Sequence, residues 1–574
     1  MGTTIKRTAP YSISSDAREE RYLVLIEFVY QHLDFQLAEI ESILDMHGIQ
    51  LGSPDCKVHP LPGQDETGRT TPAATNPERR RPYLILSFPG NDASKLSDNR
   101  NDVNRWDLAT RASENTSIAQ ILSRCTLVKT IVELWGASTS SLDTCAEECG
   151  EWIKDTNVGK SIFANVAGAN ESWKLTVHTL GTKYTREEQA EMRSKFSYLG
   201  FEGPVQMKEP NHEYVLIQEV EMDGKGSPLH PRHGIDKKLN SEHDKLPPLG
   251  VYFGRLLGGK SKKGRGGLEQ YTLKNRVYLG PTSMDAELSF VMTNYGQVQK
   301  GSVVFDPFVG TGSILLSCAL RGAYCIGSDI DIRVLKGRNE QETIWKNFDQ
   351  YNLRRPELLR TDNAIYHRHF RQHRPLYDAI VCDPPYGIRA GARKTGSRKD
   401  TPRPILEEHR HDHIAQTKPY PVSDVMSDVL DVAARTLVPN GRLVYVIPSF
   451  HEFNPRTDLP RHDCLELVHS CYQPLQAELG RRIVVMKKVK EYDFTNRDHY
   501  LSSVWVNGTE SAEKCANLRD KILEAAKQKP DYERKAAVRR QKRKIHKEEK
   551  KAAKKKKQLL AHDSVAEAEE KQTS

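Results

Sequence analysis

From Val251 to about Val506 the chain alternates short β-branched runs with helical stretches; the runs are Val303 to Phe305, Tyr324 to Gly327, Ala379 to Cys382, Leu443 to Ile447 and Ile483 to Met486. Strands that are apolar throughout must be covered on both faces, and helices crossing over between parallel strands cover them. The expectation is a parallel, doubly wound α/β sheet of the Rossmann-like kind over residues 251–510. Such sheets collect ligands at the carboxyl ends of their strands, so the strand tips are where the chemistry should be found.

Three tips end in acids. Val303-Val304-Phe305-Asp306-Pro307-Phe308-Val309-Gly310-Thr311-Gly312 reads as a strand feeding a turn, and Ser313 to Leu320 as the helix it opens. Gly310 and Gly312 permit positive φ and a close approach of backbone to ligand. The next strand ends at Asp329, seventeen residues past Gly312, where a carboxylate can accept from both hydroxyls of a ribose. A third strand, Leu358 to Thr361, ends in Asp362, placed to accept from an adenine amino group. The turn departs from the full GxGxxG pattern and no phosphate-binding Lys follows it, so a nucleoside without pyrophosphate fits better than NAD or ATP. Upstream, Tyr278-Leu279-Gly280-Pro281-Thr282-Ser283-Met284-Asp285 precedes a helix. Its first-turn N–H groups could hold a carboxylate such as that of methionine, with Thr282 and Ser283 as contributors or as ordinary N-caps.

The fourth tip carries the reaction. Asp383-Pro384-Pro385-Tyr386-Gly387 follows the strand Ala379 to Cys382 directly. An exocyclic amine on a base is a poor nucleophile because its lone pair is delocalised into the ring. A carboxylate and a backbone carbonyl that accept its two N–H bonds draw the nitrogen towards tetrahedral geometry and expose that lone pair to a methyl donor. The two prolines stiffen the carbonyl and add no competing N–H, and Tyr386 offers a face on which the base can stack. In the loop beyond, Arg389, Arg393 and Lys394 are candidates to clamp RNA phosphates, or are simply a solvated charge run.

The N-terminal part is less regular. Tyr22 to Val29 reads as a buried strand, Phe35, Ile40, Ile43 and Leu44 as the buried face of a helix ending before Gly48, and Tyr83 to Phe88 and Trp173 to Thr179 as strands. One or two small α+β domains are expected over about 15–220, interrupted by a loop insertion at Ser53 to Arg81 and followed by a linker over 222–250. The net charge of +9 is confined to one place: Asp531 to Lys557 holds 14 Lys/Arg against four acids, a local +10, and the remainder sums to −1. Residues 511–574 are therefore expected to be a charged helical or disordered tail that adds non-specific RNA affinity or a nuclear address. No apolar run reaches the roughly 18 residues of a membrane span. Without a secretory leader or a cysteine framework, the ten cysteines read as reduced structural thiols and the location as cytoplasmic. No metal site is expected.

These motifs resemble the Rossmann-like class I methyltransferases of the amino-methylating type and, more narrowly, the catalytic subunits of eukaryotic tRNA (guanine-10-N2)-methyltransferases. The resemblance rests on YLGPTSMDAELS (278–289), VVFDPFVGTGSILL (303–316), GSDID (327–331), VCDPPYGIRAG (381–391) and ARTLVPNGRLVYVIP (434–448). It extends to HLDFQLAEIESIL (32–44), RCTLVKTIVELWG (124–136) and KLTVHTLGTKYTREEQ (174–189) in the N-terminal half. It implies a ferredoxin-like domain over 1–95, a THUMP RNA-binding domain over 96–221 and S-adenosyl-L-methionine as methyl donor. Asp306, Pro307, Phe308, Gly310, Gly312, Asp329, Asp362, Thr282 and Ser283 would hold that donor, Asp383, Pro384, Pro385 and Tyr386 the target base of a tRNA. It further implies a heterodimer with a small zinc-binding activator subunit. Two other readings use the same residues differently: an adenine-N6 methyltransferase acting on DNA or RNA, and a catalytically silent RNA-binding scaffold.

Overall fold

The computed structural model describes residues 21–29, 32–64, 81–89, 118–139, 141–179, 184–220, 248–259, 268–281, 283–369, 374–385, 392–396, 416–450, 453–476 and 479–506, with single positions beyond. Thr282, Tyr386, Arg389, the linker from 222 to 247 and the basic tail lie outside the described residues or nearly so. Sixteen described strands form two seven-stranded sheets and one two-stranded hairpin.

The first sheet is built from β1 (Arg21–Phe28), β2 (Lys57–His59), β3 (Tyr83–Pro89), β4 (Val128–Ser138), β5 (Trp173–Thr179), β6 (His212–Glu219) and β7 (Gly250–Gly259), in the order β2-β3-β1-β4-β7-β6-β5. Around it lie α1 (Leu33–Asp45), α2 (Ile118–Ser123), α3 (Leu142–Asp155), α4 (Asn157–Val166) and α5 (Arg186–Ser194). Local chemistry starts several of these: Ser141 Oγ accepts from Thr144 N to open α3, and Thr185 with Glu188 forms a capping box on α5. Helix α1 stops as expected, at Asp45, three residues before Gly48, which takes φ +71°.

Two expectations need correction here, and a third is made definite. The Ser53–Arg81 insertion is not wholly loop, because β2 within it pairs with β3. The one or two N-terminal units share a single sheet, because β1 pairs antiparallel with β4. And Gly250–Gly259, assigned from sequence to the catalytic region and its boundary, is a central strand of the first sheet, between β4 and β6. Its glycines masked it. Gly254 passes so close to β4 that a Cβ would lie 1.9 Å from the Glu133 carbonyl oxygen. The strand is fastened by a buried knot in which Glu133 accepts from Arg255 Nη2, Tyr22 OH and Trp135 Nε1, each at 2.6 Å.

The second sheet runs β10 (Glu357–Arg360), β9 (Tyr324–Asp329), β8 (Val303–Asp306), β11 (Tyr377–Cys382), β14 (Leu437–Phe450), β16 (Leu479–Lys488), β15 (Leu465–Gln476). The first five are parallel, as expected; β16 and β15 are antiparallel, because the two are joined directly as a hairpin rather than through a crossover helix. Helices α6 (Ala286–Tyr295), α7 (Ser313–Leu320), α8 (Ile332–Lys336), α9 (Ile344–Asp349) and α10 (Val422–Thr436) cover its faces, and β12 (Arg393–Thr395) with β13 (Thr417–Pro419) makes the separate hairpin.

The two sheets are locked together by α1 and the turn before β4. Glu39 of α1, buried completely, accepts from the backbone N–H groups of Thr126 (2.7 Å) and Leu127 (2.9 Å) and from Asn294 Nδ2 of α6 (2.7 Å). Asn294 Oδ1 in turn accepts from Arg124 Nε (3.3 Å) and Arg321 Nη2 (3.2 Å). On the same helix, Asp45 accepts from Arg442 Nη2 of β14 at 2.8 Å, and Phe35 O accepts from the Tyr295 hydroxyl at 3.0 Å.

Candidate active site

The parallel order places the tips of β10, β9, β8 and β11 side by side along one edge of the sheet, and each ends at a carboxylate. Asp306 closes β8; its Oδ1 accepts from Phe308 N at 2.9 Å, which folds the Asp-Pro-Phe turn back on itself. Burial pushes the Asp306 carboxyl well above its ordinary range, with the neighbouring charges of Asp329 and Asp383 adding to the effect. Pro307 O accepts from Ser328 Oγ at 3.3 Å, so the turn is tied to β9 as well. Gly310 and Gly312 take φ +50° and +80°. At Gly312 the demand is also steric, since a Cβ would lie 2.9 Å from Ile344 Cγ2.

Asp329 is held from two sides: Oδ2 accepts from Gly310 N at 3.2 Å and Oδ1 from Asp331 N at 2.9 Å. A carboxylate offers about four lone-pair sites, so both oxygens keep capacity for the two hydroxyls of a ribose. Burial raises its pKa, and the backbone N–H groups of Asp331 and Gly310 work against that rise.

Asp362 is fixed by two backbone N–H groups, of Ala364 (2.9 Å) and of Thr395 in β12 (2.6 Å). The second bond brings the hairpin β12–β13 over the tip of β10. A cleft of about 390 Å³ opens there, lined by Ile330, Thr361, Asp362, Ile365, Arg393 and Thr395 among others, large enough for a nucleoside base between apolar and polar walls. Arg393 and Lys394, singled out for RNA, are engaged within the chain. Arg393 Nη2 donates to Thr417 O at 2.5 Å, while Lys394 Nζ lies 3.1 Å from Asp424 Oδ2 and 5.1 Å over the Tyr420 ring. They brace the hairpin that walls the cleft.

Asp383 follows β11 at the inner end of this row, at the centre of the seven-stranded sheet, with Pro384 buried and Pro385 half-buried beside it. Strand β11 lies between β8 and β14, so Asp383 emerges next to Asp306 and its turn. Of the two roles left open for Thr282 and Ser283, the N-cap falls to another residue: Asp285 caps α6, its Oδ1 accepting from Leu288 N at 2.9 Å. Ser283 Oγ instead accepts from Gly280 N (3.0 Å) and shares a hydrogen bond with Thr311 Oγ1 (2.7 Å), clipping this segment onto the glycine turn.

With this geometry established, the relatives become informative. The Tmrp11 THUMP N-terminal domain model matches residues 108–234, and the RMKL-like methyltransferase domain model matches 274–399. The human tRNA (guanine(10)-N(2))-methyltransferase TRMT11 is 32% identical over 494 residues, 84% of this chain and 90% of the human protein. The Dictyostelium discoideum protein of that name is 33% identical over 478 residues, covering 82% of each chain. The chain belongs to the TRMT11 family. It is a methyltransferase with a THUMP module ahead of a Rossmann-like catalytic sheet. Among solved structures, TrmN from Thermus thermophilus overlaps 82% of this chain at 14% identity with a TM-score of 0.34, too loose an overlap to argue from.

This TRMT11 relative also carries supporting residues that no motif announced. Asp431 of α10 accepts from the hydroxyls of Tyr366 and, at 2.7 Å, of Tyr492, and lies 2.9 Å from Arg435 Nε. Burial alone would raise its pKa, but the His462 ring nearby (Nε2 at 3.6 Å), the hydrogen bonds from the tyrosines and the Arg435 charge hold it below the usual carboxylate range. Tyr366 sits in the short 3-10 turn Asn363–Arg368 directly after Asp362, so this network steadies the base side of the cleft from behind. The signal available in sequence was the (i, i+4) pair Asp431/Arg435; its partners are more than twenty residues away.

Proposed function

We propose that the chain transfers a methyl group from S-adenosyl-L-methionine to the exocyclic N2 of guanosine 10 in tRNA. The observation that carries this is the row of strand-tip carboxylates, with the Asp383-Pro384-Pro385 turn emerging beside the glycine turn and Asp329. The residues present suit the donor: Asp329 retains acceptor capacity for the ribose, Asp362 and the cleft wall suit the base, and Gly310 and Gly312 let the backbone approach. When bound, the donor supplies an activated methyl group on sulfonium. The chain's own part is to hold the guanine amino group: Asp383 and the Pro384 carbonyl region accept its two N–H bonds as the nitrogen becomes tetrahedral, and Tyr386 stacks on the base. The THUMP module and the TRMT11 relatives support tRNA as the RNA. Nucleoside mass spectrometry of unmodified tRNA treated with the protein should show N2-methylguanosine at position 10. N6-methyladenosine in its place would favour the adenine reading, and no product at all, despite donor binding, the scaffold reading.

A second element of the proposal is the partner. Strand β10 is the outer edge of the catalytic sheet, and it is exposed. Leu359 is 45% exposed there, and Tyr324 and Trp345 beside it are 47% and 40% exposed. Unpaired strand edges with apolar flanks invite another chain, and the small zinc-binding activator implied by the family resemblance is the occupant we assign. Leu359→Lys should abolish co-purification with the activator while leaving the isolated chain folded by circular dichroism. Undiminished complex formation would place the partner elsewhere. The location we propose is cytoplasmic, where mature tRNA is abundant.

A further inference from the structure

In the proposed reaction the donor lies over β8, β9 and β10, along Asp306, Asp329 and Asp362. The target nucleotide must then approach Asp383 over the other half of the sheet, where β14, β16 and β15 follow β11. Strand β14 runs parallel to β11, and β16 runs antiparallel to β14. The end of β14 and the start of β16 therefore lie at the reactive edge. Two consecutive arginines stand at that start. Arg481 is paired with Pro448 and Arg482 with Ile447, and alternation along the strand sends the two side chains to opposite faces.

Both residues are half-buried, and neither has a carboxylate within ion-pair distance among the described residues. Neutral groups fix them instead. Arg481 Nε donates to Gln473 Oε1 at 2.6 Å, and Nη1 lies 3.9 Å from Met284 Sδ. Gln473 Nε2 donates in turn to His32 Nδ1 at 3.2 Å, while His32 Nε2 faces Glu287 Oε1 at 3.5 Å. His32 leads into α1 with φ +58°, an uncommon backbone for a residue with a side chain, so a segment of the N-terminal half helps to aim Arg481. On the other face, Arg482 Nε donates to Ser449 Oγ at 3.1 Å and Nη1 to Ser470 O at 3.4 Å. Its head lies 5.3 Å from the Phe453 ring centroid and 5.1 Å from that of Tyr472. Asp34 acts on Arg482 only from beyond ion-pair distance, and its Oδ2 accepts from Tyr472 N at 3.2 Å. Aimed guanidinium groups whose charge the chain leaves uncompensated suit the phosphates of a nucleic-acid backbone.

We propose that Arg481 and Arg482 grip tRNA phosphates on the far side of Asp383 from the donor, and so set how the target guanosine meets the Asp383 turn. This rests on the chain acting on tRNA at the row of strand-tip carboxylates. Strand β16 lies two strand spacings from β11, about 10 Å, the scale of one nucleotide from base edge to backbone. Contacts of this kind fix register and carry no sequence information.

The test measures binding of unmodified tRNA by the full chain across a salt series, beside calorimetry with S-adenosylhomocysteine. Arg481→Met should weaken tRNA binding roughly 10-fold at low salt, the lower end of what a charge-assisted hydrogen bond contributes. It should also reduce the slope of log affinity against log salt by about one, and the double variant with Arg482→Met by about two. S-adenosylhomocysteine affinity should stay within about 2-fold of wild type, which also reports that the variants are folded. Lys300→Met is the control: Lys300 is exposed just ahead of β8, at the opposite edge of the sheet, and its loss should leave the slope unchanged. A slope unaltered by Arg481→Met would overturn the proposal, and so would an equal fall with Lys300→Met, which would mean a diffuse field. Weakened S-adenosylhomocysteine with tRNA binding intact would also overturn it, by moving Arg481 to the donor. If wild type does not bind tRNA at all, the reading of the substrate falls first; if it binds and the arginine variants bind equally well, only this inference falls.

Discussion

Asp383→Ala should lower the single-turnover rate of tRNA methylation by roughly 10²-fold or more while leaving donor and tRNA affinities near wild type. In the proposed reaction the carboxylate accepts an N–H bond whose donor becomes more acidic as the amine turns tetrahedral, so its contribution grows between ground state and transition state. That kind of interaction appears in the rate and not in binding. Asp383→Asn keeps one acceptor oxygen and should retain more activity than the alanine variant. Asp329→Ala provides the contrast: it removes ribose acceptors and the Gly310 and Asp331 backbone bonds, so it should weaken S-adenosylhomocysteine binding first. Rapid-quench methylation with a donor titration separates the two. A folded Asp383→Ala protein that binds both ligands and methylates at near wild-type rate would end the assignment.

Glu39→Ala should be the most damaging substitution away from the catalytic row, costing roughly 3–5 kcal/mol in stability, as removal of one member of a buried charged network does. Glu39 is fully buried and satisfies two backbone N–H groups of the first sheet and Asn294 of the second. It is also the leading charge that opposes the burial of Arg321, whose pKa burial pulls down to about 10 even so. Removing it strands donors on both sides of the junction, and the two sheets should lose their cooperative melting. A double-variant cycle with Arg321→Met checks the mechanism: if the charge imbalance is responsible, the second substitution recovers part of the loss. Additive effects, or a single-variant loss under about 1 kcal/mol, would show that packing of α1 alone carries the junction.

The site was legible to the extent that its chemistry is local. Asp306, Asp329, Asp362 and Asp383 each close or closely follow a strand, Gly310 and Gly312 lie in the turn from a strand into a helix, and such ends are written in the residues on either side of them. Ser283 and Arg393 were identified as site residues, but what they do was not readable. Ser283 binds Thr311 and Arg393 binds Thr417, partners more than twenty residues away.

The fold divides along the same line. Hydrophobic period and length determined the parallel strands and their crossover helices, because a strand covered on both faces must be apolar at every position. The strand of residues 250–259 escaped that reasoning: glycines that let it pass close to β4 also dilute its apolar pattern, and one of its two partners, β4, lies more than a hundred residues upstream. The antiparallel β15–β16 pair, the joining of two N-terminal units into one sheet, and the Glu39–Asn294–Arg321 lock are likewise pairings between distant segments. The sequence by itself determined which residues end at the reactive edge. Only the tertiary structure decided how that edge is fastened to the first sheet, because buried hydrogen bonds and ion pairs take their partners from whatever chain segment packing brings within about 3 Å.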